Sequence, residues 1–365
     1  MTPRLNVDRP NLDGVVAEVV AYIQALEAAL DAAWEDAVTQ AELGDGEELQ
    51  GARFEPSEAP TTLNLITVTQ AGVAKRTPRH LYSRQRRGGM GVFGMDASVA
   101  DPPAFLALAD ESAGLILVSD QARAFRVPVR DLPEQPVNGR GASILRAITL
   151  RDGERLALVA PDATDVSARS YLLIVSVRGQ VRRIGSQYLG RSFQPGTVLY
   201  NPAEGGPPAA ACWSPGDAEI FIATRQGRAI RFSERQVPVR GCLGLRVDPG
   251  DGVVGVAAVA ASGGVLLLTA DGKGAIRLMN GFAANKAPGA GGKVAMKTEA
   301  LIGAYAVDDE QDVFILSQLG KVIRFRAQEV PPKEGVVQGV HCMNLRADEC
   351  VAALACPVAS PAPAE

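Results

Sequence analysis

The sequence repeats one short pattern six times, and this repetition constrains the fold more than any other feature. Each copy is an apolar run, a tight turn and a second run that ends in arginine. The copies occupy residues 65–76, 115–126, 172–183, 220–231, 266–277 and 313–324. Their terminal arginines, spaced 46 to 57 residues apart, are Arg76, Arg126, Arg183, Arg231, Arg277 and Arg324. A period of this length is typical of propellers and solenoids, in which each repeat is one structural unit.

A glycine follows each terminal arginine after 13 to 15 residues and forms a second landmark. These glycines are Gly91, Gly141, Gly196, Gly244, Gly292 and Gly339. In several repeats an apolar residue comes next, as Val92 and Leu245 do. Two coupled landmarks in six copies indicate six equivalent units.

Each unit predicts about four short strands, the content of a propeller blade. The apolar run is the first strand, a turn follows, and the residues ending in arginine form the second strand. Glycine occupies the turn at residues 72, 179, 227 and 320, whereas the second repeat has Ala122 there. No segment between residues 60 and 357 has a helical period. We therefore predict an all-β, six-bladed, propeller-like ring whose closure removes exposed sheet edges.

One loop of the first repeat points to a family. Residues 85–91, which we call the box, differ at one position from the QRRGGKG box of the DNA gyrase A C-terminal domain family, because Met90 stands where that family has lysine. With the six repeats, residues 61–357 resemble that family. The resemblance implies a β-pinwheel, a propeller-like disc in which blades exchange a strand. It also implies that duplex DNA runs around the outer rim and is bent there.

The chemistry of the box suits phosphate. Glycine allows positive φ and close approach of the backbone to a ligand. Successive backbone N–H groups then make an anion-binding concavity, and arginine adds charge and forked donors. We therefore expect the box to be a DNA anchor on the rim.

Candidate DNA-binding residues follow from the box and from the corresponding loops of the other repeats. In and near the box they are Lys75, Arg79, Arg84, Gln85, Arg86, Arg87, Gly88, Gly89 and Gly91. In the other loops they are Arg140, Arg191, Arg240, Lys286, Lys293 and Lys333. The six terminal arginines either line the rim or make the same structural ion pair six times, and we favour the structural role.

The net charge of −4 conceals an asymmetry. Residues 11–52 contain ten acidic residues and no lysine or arginine, and residues 1–9 contribute +1, so residues 53–365 carry +5. A modest positive excess on a rim is compatible with phosphate binding.

The acidic segment has apolar residues at alternating steps of four and three from Leu12 to Ala37, which is a heptad seam. We predict an acidic N-terminal helix at 1–46, a linker at 47–61, the pinwheel at 62–357 and a disordered tail at 358–365. The helix either forms a homodimer, docks a partner, or lies on an apolar face of its own disc.

Several classes of protein are disfavoured. The five cysteines form no CxxC pair and there are two histidines, so we expect no metal or cofactor. The first residues lack an apolar signal region, and no stretch approaches 18 apolar residues, so we expect a cytoplasmic protein without a membrane partner. The DNA binding that the resemblance implies predicts that the protein is nucleoid-associated. In the family that the chain resembles, a breakage-reunion domain with the DNA-cleaving tyrosine precedes the pinwheel. Here about 60 residues precede the first repeat, and their one tyrosine, Tyr22, has no arginine beside it, so we expect a free-standing module without DNA cleavage or enzyme activity.

Three functions remain open from the sequence. The first is a non-catalytic protein that wraps or bends duplex DNA and affects DNA topology or nucleoid compaction. The second is an interaction module that regulates gyrase or topoisomerase IV. The third, a propeller with a ligand or catalytic site on its axis, has the least support, because no convergent set of chemical groups recurs in the repeats.

Overall fold

The computed structural model describes residues 58–145, 147–163, 170–190 and 193–358, together with Val16, Val19 and Val20. The strands all belong to one unit of the chain, Phe54–Glu365. The predicted N-terminal helix lies almost entirely outside the described residues and is not supported. The predicted linker lies largely outside them too, as does the tail. No described helix is both long and apolar enough to cross a bilayer.

Each repeat supplies two long strands, a two-residue strand and a further long strand, and repeat 6 has a second two-residue strand. Repeats 1 and 2 contain β1 (Leu63–Thr69), β2 (Val73–Pro78), β3 (Val92–Phe93), β4 (Pro103–Asp110), β5 (Gly114–Ser119), β6 (Arg123–Pro128), β7 (Ala142–Ser143) and β8 (Leu156–Pro161). Repeats 3 and 4 contain β9 (Tyr171–Ser176), β10 (Gln180–Gly185), β11 (Thr197–Val198), β12 (Pro208–Ser214), β13 (Glu219–Thr224), β14 (Arg228–Ser233), β15 (Cys242–Leu243) and β16 (Val253–Val259). Repeats 5 and 6 contain β17 (Gly264–Thr269), β18 (Lys273–Leu278), β19 (Lys293–Val294), β20 (Leu301–Val307), β21 (Gln311–Ser317), β22 (Lys321–Arg326), β23 (Pro332–Lys333), β24 (Val340–His341) and β25 (Cys350–Pro357).

Short helices connect these strands. A 3₁₀ turn follows the second strand of every repeat, at Arg79–Leu81, Val129–Asp131, Ser186–Tyr188, Glu234–Gln236, Met279–Gly281 and Ala327–Glu329. One four-residue α-helix, α1 (Pro202–Gly205), lies in repeat 3, where no helical segment was predicted. Its N-cap is Asn201, whose side chain accepts a hydrogen bond from the Ala203 N–H at 3.1 Å.

The six sheets are built by strand exchange. The two-residue strand of each repeat pairs with the second strand of the preceding repeat, as β7 pairs with β2 and β15 pairs with β10. The ring closes in the same way, because β3 of repeat 1 pairs with β22 of repeat 6. The predicted six-bladed pinwheel is therefore confirmed.

The two sequence landmarks meet at these exchanges. The carbonyl oxygen of the turn residue Gly320 accepts hydrogen bonds from the N–H groups of Gly94 and Met95, at 2.7 and 3.1 Å, just after β3. Gly320 has φ of +80°, a conformation that side chains disfavour. Repeat 2 instead holds Ala122 at φ +54°. In repeat 4 the glycine before the exchanged strand is Gly241, with φ +81°, so our choice of Gly244 as that landmark was wrong.

The core lies in the joints between neighbouring blades. One apolar cluster fills each of the six joints, including the joint that closes the ring. At the closure, Leu65 and Tyr82 of repeat 1 pack against Phe314 and Leu316 of repeat 6. The middle strands are buried on both faces, which explains why they read as continuous apolar runs.

Candidate nucleic-acid interface

The box lies at the ring closure, against repeat 6. The Arg87 guanidinium donates from Nε to the Glu329 carbonyl oxygen at 2.8 Å and from Nη1 to the His341 carbonyl oxygen at 2.7 Å. The Gly88 N–H donates to the Cys342 carbonyl oxygen at 2.9 Å. These bonds join residues about 250 positions apart in sequence. The box is thus part of the interlock between the first and last repeats.

The backbone donors of the box are largely engaged within the protein. The Arg87 N–H donates to Glu329 Oε2 at 2.8 Å, and the Gly91 N–H donates to Gln85 Oε1 at 3.2 Å. The Gly89 N–H donates to the Arg86 carbonyl oxygen at 3.1 Å. Our expectation of an anion-binding concavity made by these N–H groups was therefore wrong. The glycines serve the tight path of the loop, since Gly88 and Gly91 have positive φ.

Arg86 and Met90 are the box residues that face solvent. Within the described ranges, no hydrogen bond or ion pair engages the Arg86 side chain. Met90 is 52% exposed, and Phe93, just beyond it, is 61% exposed. Lys321 lies over the Phe93 ring, 5.4 Å from its centroid. This part of the rim therefore offers one free cation beside an apolar spot.

Three other cations near the box have structural partners. Lys75 is fully buried and donates to the carbonyl oxygens of Pro136 and Val137 at 2.9 and 2.6 Å. Burial lowers the pKa of Lys75 to about 8. Arg79 is buried and forms an ion pair with Glu58 at 2.5 Å.

Arg84 is bound to Asp312 through Nε at 2.8 Å, and Asp312 has no exposed side-chain surface. Lys75 and Arg79 therefore do not lie at the surface where the sequence placed them, and Arg84 faces a carboxylate of repeat 6.

Among the residues that the structure describes, three of the six terminal arginines bond backbone carbonyl groups of the next repeat. Arg231 of repeat 4 donates to the carbonyl oxygens of Met279 and Phe282 in repeat 5, at 2.6 and 2.9 Å. Arg324 of repeat 6 donates to the Tyr82 carbonyl oxygen in repeat 1 at 3.0 Å. Each of these arginines thus holds the 3₁₀ turn of the next repeat. This geometry fits the structural role that we favoured from the sequence, but not the same ion pair in all six repeats, since Arg277 bonds the Gly281 carbonyl oxygen of its own repeat.

The candidate cations of the other outer loops are exposed, namely Arg140, Arg240, Lys286, Lys293 and Lys333. Arg191 lies outside the described residues. Two of these cations stand at the position that Met90 has in repeat 1, since Arg140 and Arg240 each precede the glycine before an exchanged strand. The Arg140 side chain is 77% exposed and approaches Asp96 at 3.8 Å. Lys293 donates to the Ala283 carbonyl oxygen at 3.1 Å.

Sequence reasoning missed a small pocket on the rim of repeat 3. It has a volume of about 150 Å³, and Arg182, Tyr200 and Arg240 contribute to its lining. The Arg182 guanidinium lies 5.7 Å from the centroid of the Tyr200 ring. Arg182 directly precedes a terminal arginine, so the sequence pattern did not indicate that Arg182 has a different position and role.

The axis of the ring offers little chemistry. A cavity of about 190 Å³ is lined by all six innermost strands, mainly through small apolar residues such as Ala157, Ala210 and Ala352. Tyr305 is the titratable residue in its lining, and burial raises the pKa of its hydroxyl to about 12. The Tyr305 oxygen accepts a hydrogen bond from the Ala353 N–H at 3.0 Å. This arrangement does not favour an axial catalytic site.

The model of the family described as DNA gyrase C-terminal domain, beta-propeller, matches the chain at residues 63–101, 115–161, 218–260 and 311–357. The chain resembles this family over these four segments. The four matches are repeats 1, 2, 4 and 6, and they include the box, the turn at Ala122 and the closing blade. The resemblance inferred from the box and the repeats is thus confirmed.

Curated relatives and solved structures agree with this assignment. DNA gyrase A of Mycolicibacterium smegmatis is 26% identical over 80% of this chain and 36% of the relative. DNA gyrase A of Staphylococcus aureus is 25% identical over 96% of this chain and 42% of the relative. The chain therefore spans about two fifths of the length of these relatives.

Two solved structures share the fold. A DNA gyrase A C-terminal domain superposes with a TM-score of 0.71 at 20% identity, covering 80% of this chain and 99% of that domain. The C-terminal domain of a DNA topoisomerase IV superposes with a TM-score of 0.54 at 15% identity, covering 81% and 94%.

Proposed function

We propose that this protein is a non-catalytic duplex-DNA-binding protein that wraps or bends DNA around the rim of the pinwheel. In this role it affects DNA topology or nucleoid compaction and associates with the nucleoid. Similarity to the gyrase C-terminal domain family supports the proposal. Lys75 and Arg79 are buried and Arg87 is bonded to repeat 6, so we expect exposed cations of the outer loops to make the phosphate contacts with DNA.

The observation that carries the proposal is the placement of cations beside exchanged strands. Arg140 and Arg240 occupy outer loops of repeats 2 and 4, next to β7 and β15, Lys293 is the first residue of β19 in repeat 5, and all three are exposed. Smooth bending of a 20–30 bp site costs on the order of 1–6 kcal/mol, so DNA bends only where several separated contacts offset that cost. Cations distributed around a closed disc meet this requirement.

Fluorescence anisotropy with a labelled linear duplex tests binding. We expect affinity to fall steeply between about 50 and 300 mM salt, with log K dropping about 0.9 per phosphate contact for each tenfold rise in salt. Absence of binding at about 50 mM salt, or affinity that ignores salt, would contradict the proposal. A denatured sample of the same chain serves as the control for non-specific adsorption.

A second assay tests wrapping. The protein is added to a nicked circular plasmid, the nick is sealed, and the protein is removed. Wrapping changes the linking number in proportion to the protein bound, and the sign of the change gives the handedness. Binding without any change in linking number would restrict the role to DNA binding.

One observation favours a regulator of gyrase or topoisomerase IV as a second candidate. Met90 and Phe93 are exposed beside Arg86, and Met90 replaces the lysine of the family box. An apolar spot rimmed by charge suits a protein surface better than a phosphate backbone. If this candidate is correct, the protein changes the supercoiling rate of purified gyrase or topoisomerase IV, and Phe93→Asp abolishes that effect without altering DNA affinity.

A further inference from the structure

The positive charge of the pinwheel is concentrated in one half of the ring. Residues 169–308, which span repeats 3 to 5, contain 16 lysines and arginines and 9 acidic residues, a net charge of +7. Residues 63–168 carry +2 and residues 309–357 carry −2, so the other three repeats are neutral together. The box belongs to this neutral half.

Within repeats 4 and 5, two outer loops run side by side. The Gln236 side-chain amide donates to the Lys286 carbonyl oxygen at 2.6 Å. The Arg246 N–H donates to the Ala290 carbonyl oxygen at 3.0 Å, and the Gly289 N–H donates to the Gly244 carbonyl oxygen at 2.8 Å. These bonds hold Arg246 and Lys286 on neighbouring loops of one surface.

The side chains on this surface are available to a ligand. Arg240, Arg246 and Lys286 are all exposed. In the part of the chain that the structure describes, none of the three side chains makes a hydrogen bond or an ion pair. Two exposed arginines of the neutral half instead lie near carboxylates, since Arg130 lies 3.9 Å from Asp131 and Arg140 lies 3.8 Å from Asp96, whereas Arg86 has no such partner among the described residues.

The pocket on repeat 3 extends the surface. Arg240 lines it together with Arg182, whose guanidinium lies over Tyr200. Contact with an aromatic ring limits the freedom of Arg182 while leaving its N–H groups free to bind phosphate oxygens. Glu204 also lines the pocket and adds one negative charge against two guanidinium groups. We call Arg182, Arg240, Arg246 and Lys286 the basic sector.

We propose that the basic sector, rather than the box, is the principal contact surface for the phosphate backbone of duplex DNA. This inference rests on the proposed function and deepens it. The free cations attract the polyanion most strongly where no neighbouring carboxylate offsets them. The internal hydrogen bonds of the box also support this inference. Because its backbone N–H groups are largely engaged within the protein, Arg86 is the main donor that the loop can offer to phosphate.

Two variants with equal charge change test the inference. One combines Arg240→Gln, Arg246→Gln and Lys286→Gln. The other, the matched control, replaces three exposed arginines of repeat 2 by glutamine, at Arg130, Arg151 and Arg155. All six positions are exposed, so both variants should fold, and thermal unfolding checks this.

We expect the basic-sector variant to lower the slope of log K against log salt by about 2.7 and to weaken binding at about 0.1 M salt by up to roughly 500-fold. The control removes the same number of charges away from the basic sector. We expect it to lower DNA affinity by about threefold or less, because salt screens charges over about 10 Å. Equal losses in the two variants, or a larger loss in the control, would overturn the sector while leaving DNA binding intact. A wild-type protein that fails to bind duplex would overturn the proposed function itself.

Discussion

We expect the two arginines of the box to have different roles. Arg86 would contact DNA and Arg87 would hold the first and last repeats together, and single substitutions test this difference. The Arg86 side chain is exposed and has no polar partner within the described residues, whereas the Arg87 side chain bonds two carbonyl oxygens of repeat 6. Arg87→Ala should therefore destabilise the ring without removing a phosphate contact. Arg86→Ala should do the reverse.

The magnitude follows from the two bonds of the Arg87 guanidinium. A hydrogen bond from a charged group contributes about 1.5–3 kcal/mol. The bond to His341 is exposed, so water replaces much of it, whereas the bond to Glu329 is partly buried. We expect a total loss of about 2–3 kcal/mol, which lowers Tm by about 4–6 °C at roughly 2 °C per kcal/mol for a domain of this size. Arg86→Ala should change stability by less than about 0.5 kcal/mol.

Thermal unfolding and salt-dependent anisotropy on the same samples provide the readouts. Arg86→Ala should lower the slope of log K against log salt by about 0.9, and Arg87→Ala should leave the slope unchanged. Arg87→Lys is the control for charge, because lysine keeps the charge but loses the planar fork that spans both carbonyl groups. The reasoning fails if Arg87→Ala keeps the wild-type Tm, or if Arg87→Lys restores it fully.

Three further outcomes are expected. Met90→Lys places a cation at an exposed position of the box, so DNA binding should tighten and the salt slope should steepen by roughly one contact in anisotropy. If the ten acidic groups of residues 1–52 compete with DNA for the cations of the pinwheel, deleting these residues should increase affinity, most at low salt; if the segment is instead a dimer seam, light scattering should give half the mass. The free energy of unfolding, measured by denaturant titration relative to Lys75→Met, should rise between about pH 8 and 10.5, because the folded state has already released a proton that the unfolded chain still holds. A flat difference over that range would contradict the lowered pKa of Lys75.

The repeated features were predictable because their causes are local. A turn that needs positive φ favours glycine, and a middle strand buried on both faces favours apolar residues. Six copies of the same local geometry therefore produce a residue pattern that recurs along the sequence. The exception is instructive, because Ala122 holds φ +54° in one of the six turns. Fold class and blade number could therefore be derived from the sequence, and the exchanged strands followed from the family resemblance.

The candidate site was harder to predict because its decisive contacts are distant in sequence. Lys75 looks like a surface cation beside Arg76, yet the loop at Pro136 and Val137 in the next repeat covers it. The partners of Arg87 lie about 250 residues away, at Glu329 and His341. Sequence spacing identifies the loop in which a cation lies, but not the neighbouring blade that engages its side chain.

These contacts change how a defect in the box should be interpreted. Substituting Arg86 and Arg87 together removes an exposed cation and also the hydrogen bonds of Arg87 that hold the ring closed. If the double variant fails to bend DNA, either loss alone could explain the failure. A disc whose first and last blades separate also changes the curvature that its rim presents to DNA. The box can therefore be essential for bending even if most phosphate contacts lie in the basic sector. Its contribution as a contact is measured by Arg86 alone, and its contribution as a lock is measured by Arg87 alone.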